Sequence, residues 1–157
     1  MVKVLFVCLG NICRSPTGEG VFRHLLKSRR LERHIQVDSA GTSGWHVGEA
    51  PDGRACQEAQ RRGIDLSGQR SRAVDHNDFD TFDYILAMDT ENYRNLRALC
   101  PEDKQNRIYR CMDFAPKLGI QDVPDPYYGG DDGFKKVFDM VESACLGLLA
   151  EIESKHQ

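Results

Sequence analysis

The chain has 157 residues, of which 40% are hydrophobic and 29% charged, a composition that excludes a largely disordered protein. This length suffices for one domain with a substantial core, so residues 1–157 are interpreted as a single domain. The formal net charge of −3 argues against general nucleic-acid binding, which requires a basic surface.

The first thirty residues predict a strand, a tight loop and a helix. Lys3–Cys8 has the near-continuous apolar character of a strand buried on both faces, as in parallel sheets. Ser15 and Pro16 resemble a helix N-cap followed by proline at the first helical position, and the helix is predicted to reach about Leu31. No segment reaches membrane-spanning length, and the apolar run Val4–Cys8 is too short for a signal peptide, so we expect a cytoplasmic protein.

Strand and helix patterns continue to alternate along the rest of the chain. They predict strands at 35–41, 82–88 and 107–110, helices at about 53–63, 89–99 and 132–155, and one helical turn within 75–82. Asp89 is predicted to cap its helix. This order indicates a three-layer α/β/α fold, an open and mostly parallel sheet with helices on both faces. Such sheets bind ligands at the carboxyl ends of their strands, which is where Cys8 is placed.

Six cysteines occur, at positions 8, 13, 56, 100, 111 and 145. Without an export signal they are expected to be reduced thiols. The chain has no Cys-x-x-Cys motif and no histidine at zinc-ligand spacing from a cysteine pair, so no metal site is predicted. The glycine-rich nucleotide-binding motifs are also missing, and no cofactor is predicted.

The segment Leu9–Cys13, here called the first loop, has the features of an anion site. A loop of five residues before a helix N-terminus can turn several backbone N–H groups inward. Gly10 and Asn11 suit such a loop because they tolerate positive φ angles. Arg14, directly after the loop, would add a planar fork of donors for two phosphate oxygens.

Cys8 precedes this loop and is a candidate nucleophile. The inward dipoles, together with Arg14 and the Ser15 hydroxyl, should stabilise a thiolate at Cys8. That thiolate could attack a bound phosphoryl group without a metal, since N–H groups and an arginine can neutralise the phosphate oxygens. A buried strand-end cysteine followed by a chance arginine would show the same Cys-x₅-Arg spacing.

Asp125 is the candidate general acid, because a phosphate monoester needs its leaving oxygen protonated. It lies between Pro124 and Pro126, which stiffen the backbone on both sides. On local sequence alone, a solvated turn aspartate remains the commoner fate of an Asp-Pro pair.

Three aromatic residues could form a slot for a flat substrate ring, here called the aromatic wall: Trp45, Tyr127 and Tyr128. Adjacent tyrosines are more often ordinary half-buried loop residues. The signal therefore depends on its combination with Cys8 and Asp125.

Four segments together resemble the low molecular weight protein tyrosine phosphatases: Val-Cys-Leu-Gly-Asn-Ile-Cys-Arg-Ser-Pro, Asp-Ser-Ala-Gly-Thr with Trp45 downstream, Phe-Asp-Tyr-Ile-Leu-Ala-Met-Asp, and Asp-Pro-Tyr-Tyr-Gly-Gly. The likeness covers essentially the whole chain. It implies a four-stranded parallel sheet flanked by helices, and hydrolysis of phosphotyrosine in proteins and of small aryl phosphates, with no metal or cofactor. A monomer is favoured.

The resemblance also implies a role for each matching residue. Cys8 would form a phosphocysteine, Arg14 would bind the phosphate, and Asp125 would act as acid and then as base. Ser15 would assist the thiolate. The residues of the first loop would surround the phosphate, with Asn11 holding the loop in shape: Leu9, Gly10, Asn11, Ile12 and Cys13. Trp45, Tyr127 and Tyr128 match the aromatic positions that border the pocket.

Two further expectations come from this resemblance. Cys13 matches a second loop cysteine that can form a reversible disulfide with Cys8 under oxidation. Many members carry a histidine that braces the loop asparagine, whereas this chain has Gly68-Gln69-Arg70 in that segment. Gln69 is therefore interpreted as a substitute partner for Asn11.

Two alternative functions remain open on the sequence. A thiol-dependent arsenate reductase shares this fold and loop, but such enzymes need further cysteines near the loop and typically lack the Asp-Pro-Tyr-Tyr segment. Cys100 and Cys111 show no close pairing in the sequence. A non-catalytic phosphotyrosine-binding module would need neither Cys8 nor Asp125.

Overall fold

The computed structural model describes residues 1–128 and 131–156, except for the side chains of Tyr128 and Asp131. The strands in this part of the chain are β1 (Val2–Cys8), β2 (Ile35–Gly41), β3 (Tyr84–Ala87) and β4 (Ile108–Arg110). The helices are α1 (Arg14–Ser28), α2 (Gly53–Arg61), α3 (Asp78–Thr81), α4 (Thr90–Leu99) and α5 (Asp131–Lys155). Short 3₁₀ turns occupy 102–107, 111–114, 116–118 and 126–128.

The four strands form one parallel sheet in the order β2-β1-β3-β4. β1 pairs with β2 along its whole length and with β3 over Val4–Val7, so its backbone is hydrogen-bonded on both edges. Cys8 is in register with Gly41, which brings the carboxyl ends of β1 and β2 together. The predicted four-stranded parallel sheet is confirmed.

Alternate side chains of β1 enter two cores on opposite faces of the sheet. Phe6 lies in the core shared with α1 and α5, where its ring is 6.0 Å from that of Phe22. Leu5 and Val7 lie in the core on the other face, with Phe79 of α3. Because both faces are covered, the strand is apolar at nearly every position, and the predicted three-layer α/β/α architecture is confirmed.

The predicted N-cap of the first helix is wrong. α1 begins at Arg14 and its N-cap position is Cys13, which makes no side-chain capping hydrogen bond. Ser15 lies one residue inside the helix, and its hydroxyl contacts Cys8 and Asn11 instead of capping the helix. The Ser-Pro pair predicts a cap from the sequence, but the Ser15 side chain hydrogen-bonds to Asn11 of the first loop.

The same helix also ends earlier than the sequence predicts, at Ser28 rather than near Leu31. Arg30 adopts a φ of 58°, in the left-handed region. The N–H of Leu31 then donates to the carbonyl of Leu26 over 2.9 Å, a hydrogen-bond pattern typical of a helix C-terminus.

The other predicted elements are found at nearly the expected positions. The carboxylate of Asp89 accepts the N–H of Asn92 over 2.7 Å, so the predicted cap of α4 is confirmed. The strand predicted at 82–88 is shorter, because only Tyr84–Ala87 pairs as a strand. Within residues 1–128 and 131–156, no helix combines the length and the apolar character needed to cross a bilayer.

Candidate active site

A pocket opens at the carboxyl edge of the sheet, beside the first loop. It is lined by Cys8, Leu9, Gly10, Ile12, Cys13, Arg14, Trp45, His46, Asp125 and Tyr127. β1, which delivers Cys8, lies between β2 and β3, at the switch in strand order. The fold thus brings the candidate nucleophile, arginine and acid into one cavity, although Asp125 lies more than a hundred residues from Cys8.

Cys8 is buried at the end of β1, and two polar groups contact its sulfur. The Ser15 hydroxyl lies 3.0 Å from Sγ, and the backbone N–H of Asn11 donates to Sγ over 3.3 Å. The N-terminal end of α1 lies directly after the loop. The sulfur therefore lies beside a backbone donor, a hydroxyl group and the positive end of a helix dipole.

Asn11 fixes the shape of the first loop. It is buried and has a φ of 56°. Its amide nitrogen donates to the hydroxyls of Ser15 (2.8 Å) and Ser39 (3.0 Å), and its amide oxygen accepts the backbone N–H of Arg72 over 3.0 Å. Both amide hydrogens and the oxygen are therefore used, which holds the loop in a single conformation.

The predicted brace by Gln69 is wrong. The Gln69 amide donates instead to the carbonyl of Pro16 over 3.0 Å, on the first turn of α1. The loop is held from this side by the next residues of the same segment. Arg72 supplies the N–H described above, and the Ser71 hydroxyl donates to the carbonyl of Gly10 over 3.0 Å.

A second layer of hydrogen bonds lies behind Asn11 and was missed in the sequence. The Ser39 hydroxyl donates to the carboxylate of Glu19 over 2.7 Å, and Glu19 also accepts from Arg23, one helical turn away. Glu19 and Ser39 are both buried. Because Ser39 donates to Glu19, its oxygen is left as the acceptor for Asn11. Only the Glu19–Arg23 spacing could be read from the sequence.

Arg14 is held rigidly at the side of the pocket. Its side chain is 4% exposed, and one terminal nitrogen donates to Asp89 (2.7 Å) and to the carbonyl of Val123 (2.9 Å). Burial disfavours its charge, but the negative charges of Cys8, Asp89 and Asp125 raise the pKa of Arg14 overall. The sequence predicts Asp89 only as a helix cap, whereas its second oxygen also orients this arginine.

Asp125 also lines the pocket, in the segment Pro124–Tyr127, here called the acid segment. One carboxylate oxygen accepts the backbone N–H of Tyr127 over 3.0 Å, within its own turn. The other lies 3.7 Å from the second terminal nitrogen of Arg14. The side chain is 35% exposed, so it is in contact with solvent.

Aromatic side chains surround the mouth of the pocket. Trp45 is 76% exposed and Tyr127 39% exposed, and both line the pocket as the sequence predicts. The side chain of Tyr128, the third predicted member of the aromatic wall, lies outside the described residues. His46 also lines the pocket, 6.4 Å from the Tyr127 ring, and its own ring lies close to Gly10 of the first loop. No sequence motif indicated this histidine.

Cys13 lines the same pocket but differs from Cys8 in its environment. Burial, followed by the negative charges of Asp52 and Cys8, raises the pKa of the Cys13 thiol far above its usual range. Cys8 and Cys13 are both free thiols in this structure. Within the described residues, no three His, Cys, Asp or Glu side chains are grouped as metal ligands would be.

Comparisons with known proteins give one consistent family. The family model for low molecular weight phosphotyrosine protein phosphatases matches residues 3–157. The low molecular weight protein-tyrosine-phosphatase YfkJ of Bacillus subtilis is 43% identical over 157 residues, which cover 100% of this chain and 99% of that protein. The human low molecular weight phosphotyrosine protein phosphatase is 41% identical over 153 residues, or 94% of this chain and 93% of that one. A crystal structure of a protein tyrosine phosphatase from Entamoeba histolytica superposes with a TM-score of 0.96 at 41% identity, covering 100% of both chains.

Proposed function

The chain belongs to the low molecular weight phosphotyrosine protein phosphatase family, and from this premise we propose that it hydrolyses phosphotyrosine through a phosphocysteine on Cys8. The observation that carries the proposal is the convergence of Cys8, Arg14 and Asp125 on one pocket. The substrates are tyrosine-phosphorylated proteins, and small aryl phosphates serve as their simplest analogues.

The first loop binds the phosphate before any bond changes. Its backbone N–H groups and the helix N-terminus behind it supply donors to the phosphate oxygens. Arg14 adds two donors in a fixed plane, because Asp89 and the Val123 carbonyl hold its other side. Binding therefore needs little rearrangement of the pocket, which favours the transition state as well as the bound substrate.

The phosphoryl group is then transferred in two steps, first to Cys8 and then to water. The Cys8 thiolate attacks phosphorus, the S–P bond forms, the bond to the phenolic oxygen breaks, and Asp125 gives its proton to that oxygen. In the second step Asp125 takes a proton from water, the water oxygen attacks phosphorus, and the S–P bond breaks to release phosphate. The Ser15 hydroxyl, 3.0 Å from Sγ, stabilises the thiolate that leaves.

The aromatic wall accounts for the preference for phosphotyrosine. Trp45 and Tyr127 stand at the mouth of a pocket whose nucleophile is buried at its base. A phenyl ring both spans this depth and packs between flat side chains, whereas the shorter side chain of phosphoserine does neither.

Substitution of the nucleophile tests the proposal directly. Cys8→Ser is expected to abolish hydrolysis of phosphotyrosine and p-nitrophenyl phosphate while inorganic phosphate still binds, as measured by calorimetry. Asp125→Asn is expected to lower kcat/KM by about 10²–10³-fold for phenyl phosphate and by much less for p-nitrophenyl phosphate, whose leaving group needs little protonation. Appreciable turnover by Cys8→Ser would contradict the mechanism.

The same measurements separate the two alternative functions. A binding module would retain phosphate without turning over either substrate in the wild-type protein. An arsenate reductase would consume thiol in the presence of arsenate. Its cysteine relay has little support here, because Cys100 and Cys111 lie in the cores on opposite faces of the sheet.

A further inference from the structure

Arg54, in the first turn of α2, contacts the acid segment and Asp52 although it does not line the pocket. Its backbone N–H and its guanidinium donate to the carboxylate of Asp52 over 2.8–3.1 Å. One terminal nitrogen also donates to the carbonyl oxygen of Tyr127 over 3.0 Å. A single side chain thus joins the start of α2 to the acid segment.

Two aromatic rings, of Tyr127 and Phe134, lie against the guanidinium. Its central carbon lies 4.8 Å from the centroid of the Phe134 ring and 5.6 Å from that of Tyr127, within the range of cation–π contact. Phe134 is buried in the first turns of α5. Arg54 therefore contacts the chain at Tyr127, two residues after Asp125, and again at Phe134 in α5.

The other end of this connection is the first loop. The backbone N–H of Asp52 donates to the carbonyl of Ile12 over 2.8 Å. The Asp52 side chain is largely buried, and although burial opposes its charge, the hydrogen bonds from Arg54 lower the pKa of Asp52. It is therefore ionised at neutral pH, as a charge-assisted pair with Arg54 requires.

The position of Asp125 depends on Tyr127, the residue whose backbone Arg54 also binds. The carboxylate of Asp125 accepts the N–H of Tyr127, and Arg54 binds the carbonyl oxygen of that same residue. A shift of Tyr127 would therefore carry the acid with it, and a displacement of about 1 Å can cost roughly 10²-fold in rate.

We propose that Arg54 is a positioning residue that holds the Asp125 carboxylate at its working distance from the first loop. This role rests on the proposed function, in which Asp125 is the general acid. Arg54 acts through the Tyr127 peptide and touches neither the phosphate nor the leaving group.

The test compares two leaving groups in Arg54→Met, which keeps an apolar stem against the rings but removes all donors. The kcat/KM for phenyl phosphate is expected to fall about 10–30-fold and that for p-nitrophenyl phosphate only about 2–3-fold, since the acid matters most for a poor leaving group. The inhibition constant of inorganic phosphate should stay within about twofold, because the first loop is unchanged. Arg54→Lys, which keeps the positive charge and a donating ammonium group but loses the planar guanidinium, should recover part of the difference.

A double-mutant cycle identifies the residue through which Arg54 acts. In the Asp125→Asn background, Arg54→Met is expected to add no further leaving-group dependence, because the acid it positions is already absent. Arg97→Met is the matched control, since Arg97 makes a similar pair with Tyr93 on α4, with a 5.5 Å cation–π contact and a 3.1 Å hydrogen bond. The control should leave both substrates unaffected.

Two results would overturn the role of Arg54. One is that Arg54→Met and Arg54→Lys lower kcat/KM equally for the two substrates, or that neither variant lowers it. The other is a leaving-group effect that persists in the Asp125→Asn background. Failure of the proposed function looks different, because Asp125→Asn alone would then show no leaving-group dependence. If Arg54→Met does not fold, Arg54→Lys decides the question by the same two-substrate ratio.

Discussion

Replacing Asn11 should destabilise the protein in an unusual order, with alanine worse than glycine. Asn11 has a φ of 56° and a buried side chain that hydrogen-bonds to Ser15, Ser39 and the backbone of Arg72. Both substitutions remove these three hydrogen bonds. They differ only in how easily the new residue adopts the left-handed backbone conformation.

The magnitudes decide the order. Three lost hydrogen bonds at about 1 kcal/mol each lower the free energy of unfolding by about 3 kcal/mol in either variant. Alanine in the left-handed region costs a further 1–2 kcal/mol or so. Glycine avoids that cost but adds roughly 0.5–1 kcal/mol through the greater freedom of its unfolded chain. From the midpoints of these two ranges, Asn11→Ala is therefore expected to be about 0.8 kcal/mol less stable than Asn11→Gly.

Urea unfolding followed by fluorescence measures the difference, provided that the slope with denaturant is the same in both variants. Ala150, which is exposed within α5, supplies the control. There Ala150→Gly should be less stable than wild type by about 1 kcal/mol, the usual order in a helix. If Asn11→Ala proves more stable than Asn11→Gly, the positive φ does not constrain this position and the reasoning about the loop is wrong.

The remaining predictions concern the second loop cysteine and the core. Because its pKa is raised, Cys13 should stay a thiol at pH 7.5 and escape iodoacetamide, with labelling increasing only at more alkaline pH; substantial labelling of Cys13 in peptide maps at pH 7.5 would contradict this. Gly147→Ala should lower the unfolding free energy by about 1–3 kcal/mol, because the new methyl group would overlap the Phe114 carbonyl. Gly53→Ala is the control, because a methyl group there would enter open space and should cause no such loss. Calorimetric melting of the two variants measures the difference.

Much of the nucleophilic half of the site could be predicted because its parts are contiguous. A buried strand, a short loop and a helix start follow each other from Lys3 onwards, so their geometry depends on local backbone preferences. The acid could be proposed because Pro124 and Pro126 restrict the backbone around Asp125. In both cases the signal lies within a few residues of the functional group.

The groups that the sequence missed depend on contacts between distant segments. The second carboxylate oxygen of Asp89 reaches Arg14, 75 residues earlier in the chain, and Ser39 meets Asn11 only because β2 packs beside β1. The predicted hydrogen bond between Gln69 and Asn11 is wrong for a similar reason. Residues 71–74 run beside the end of β2, where Ala73 forms a parallel bridge with Gly41. This pairing places the Arg72 N–H, and not the Gln69 side chain, against Asn11.

The charges of the pocket require that the backbone dominate phosphate binding. Arg14 is the only cationic side chain lining the described pocket apart from His46, which is charged only when protonated, and it is already paired with Asp89. Asp125 and a Cys8 thiolate would add two negative charges beside a phosphate dianion. Under the proposed mechanism, the N–H groups of the first loop must therefore supply much of the attraction for the phosphate.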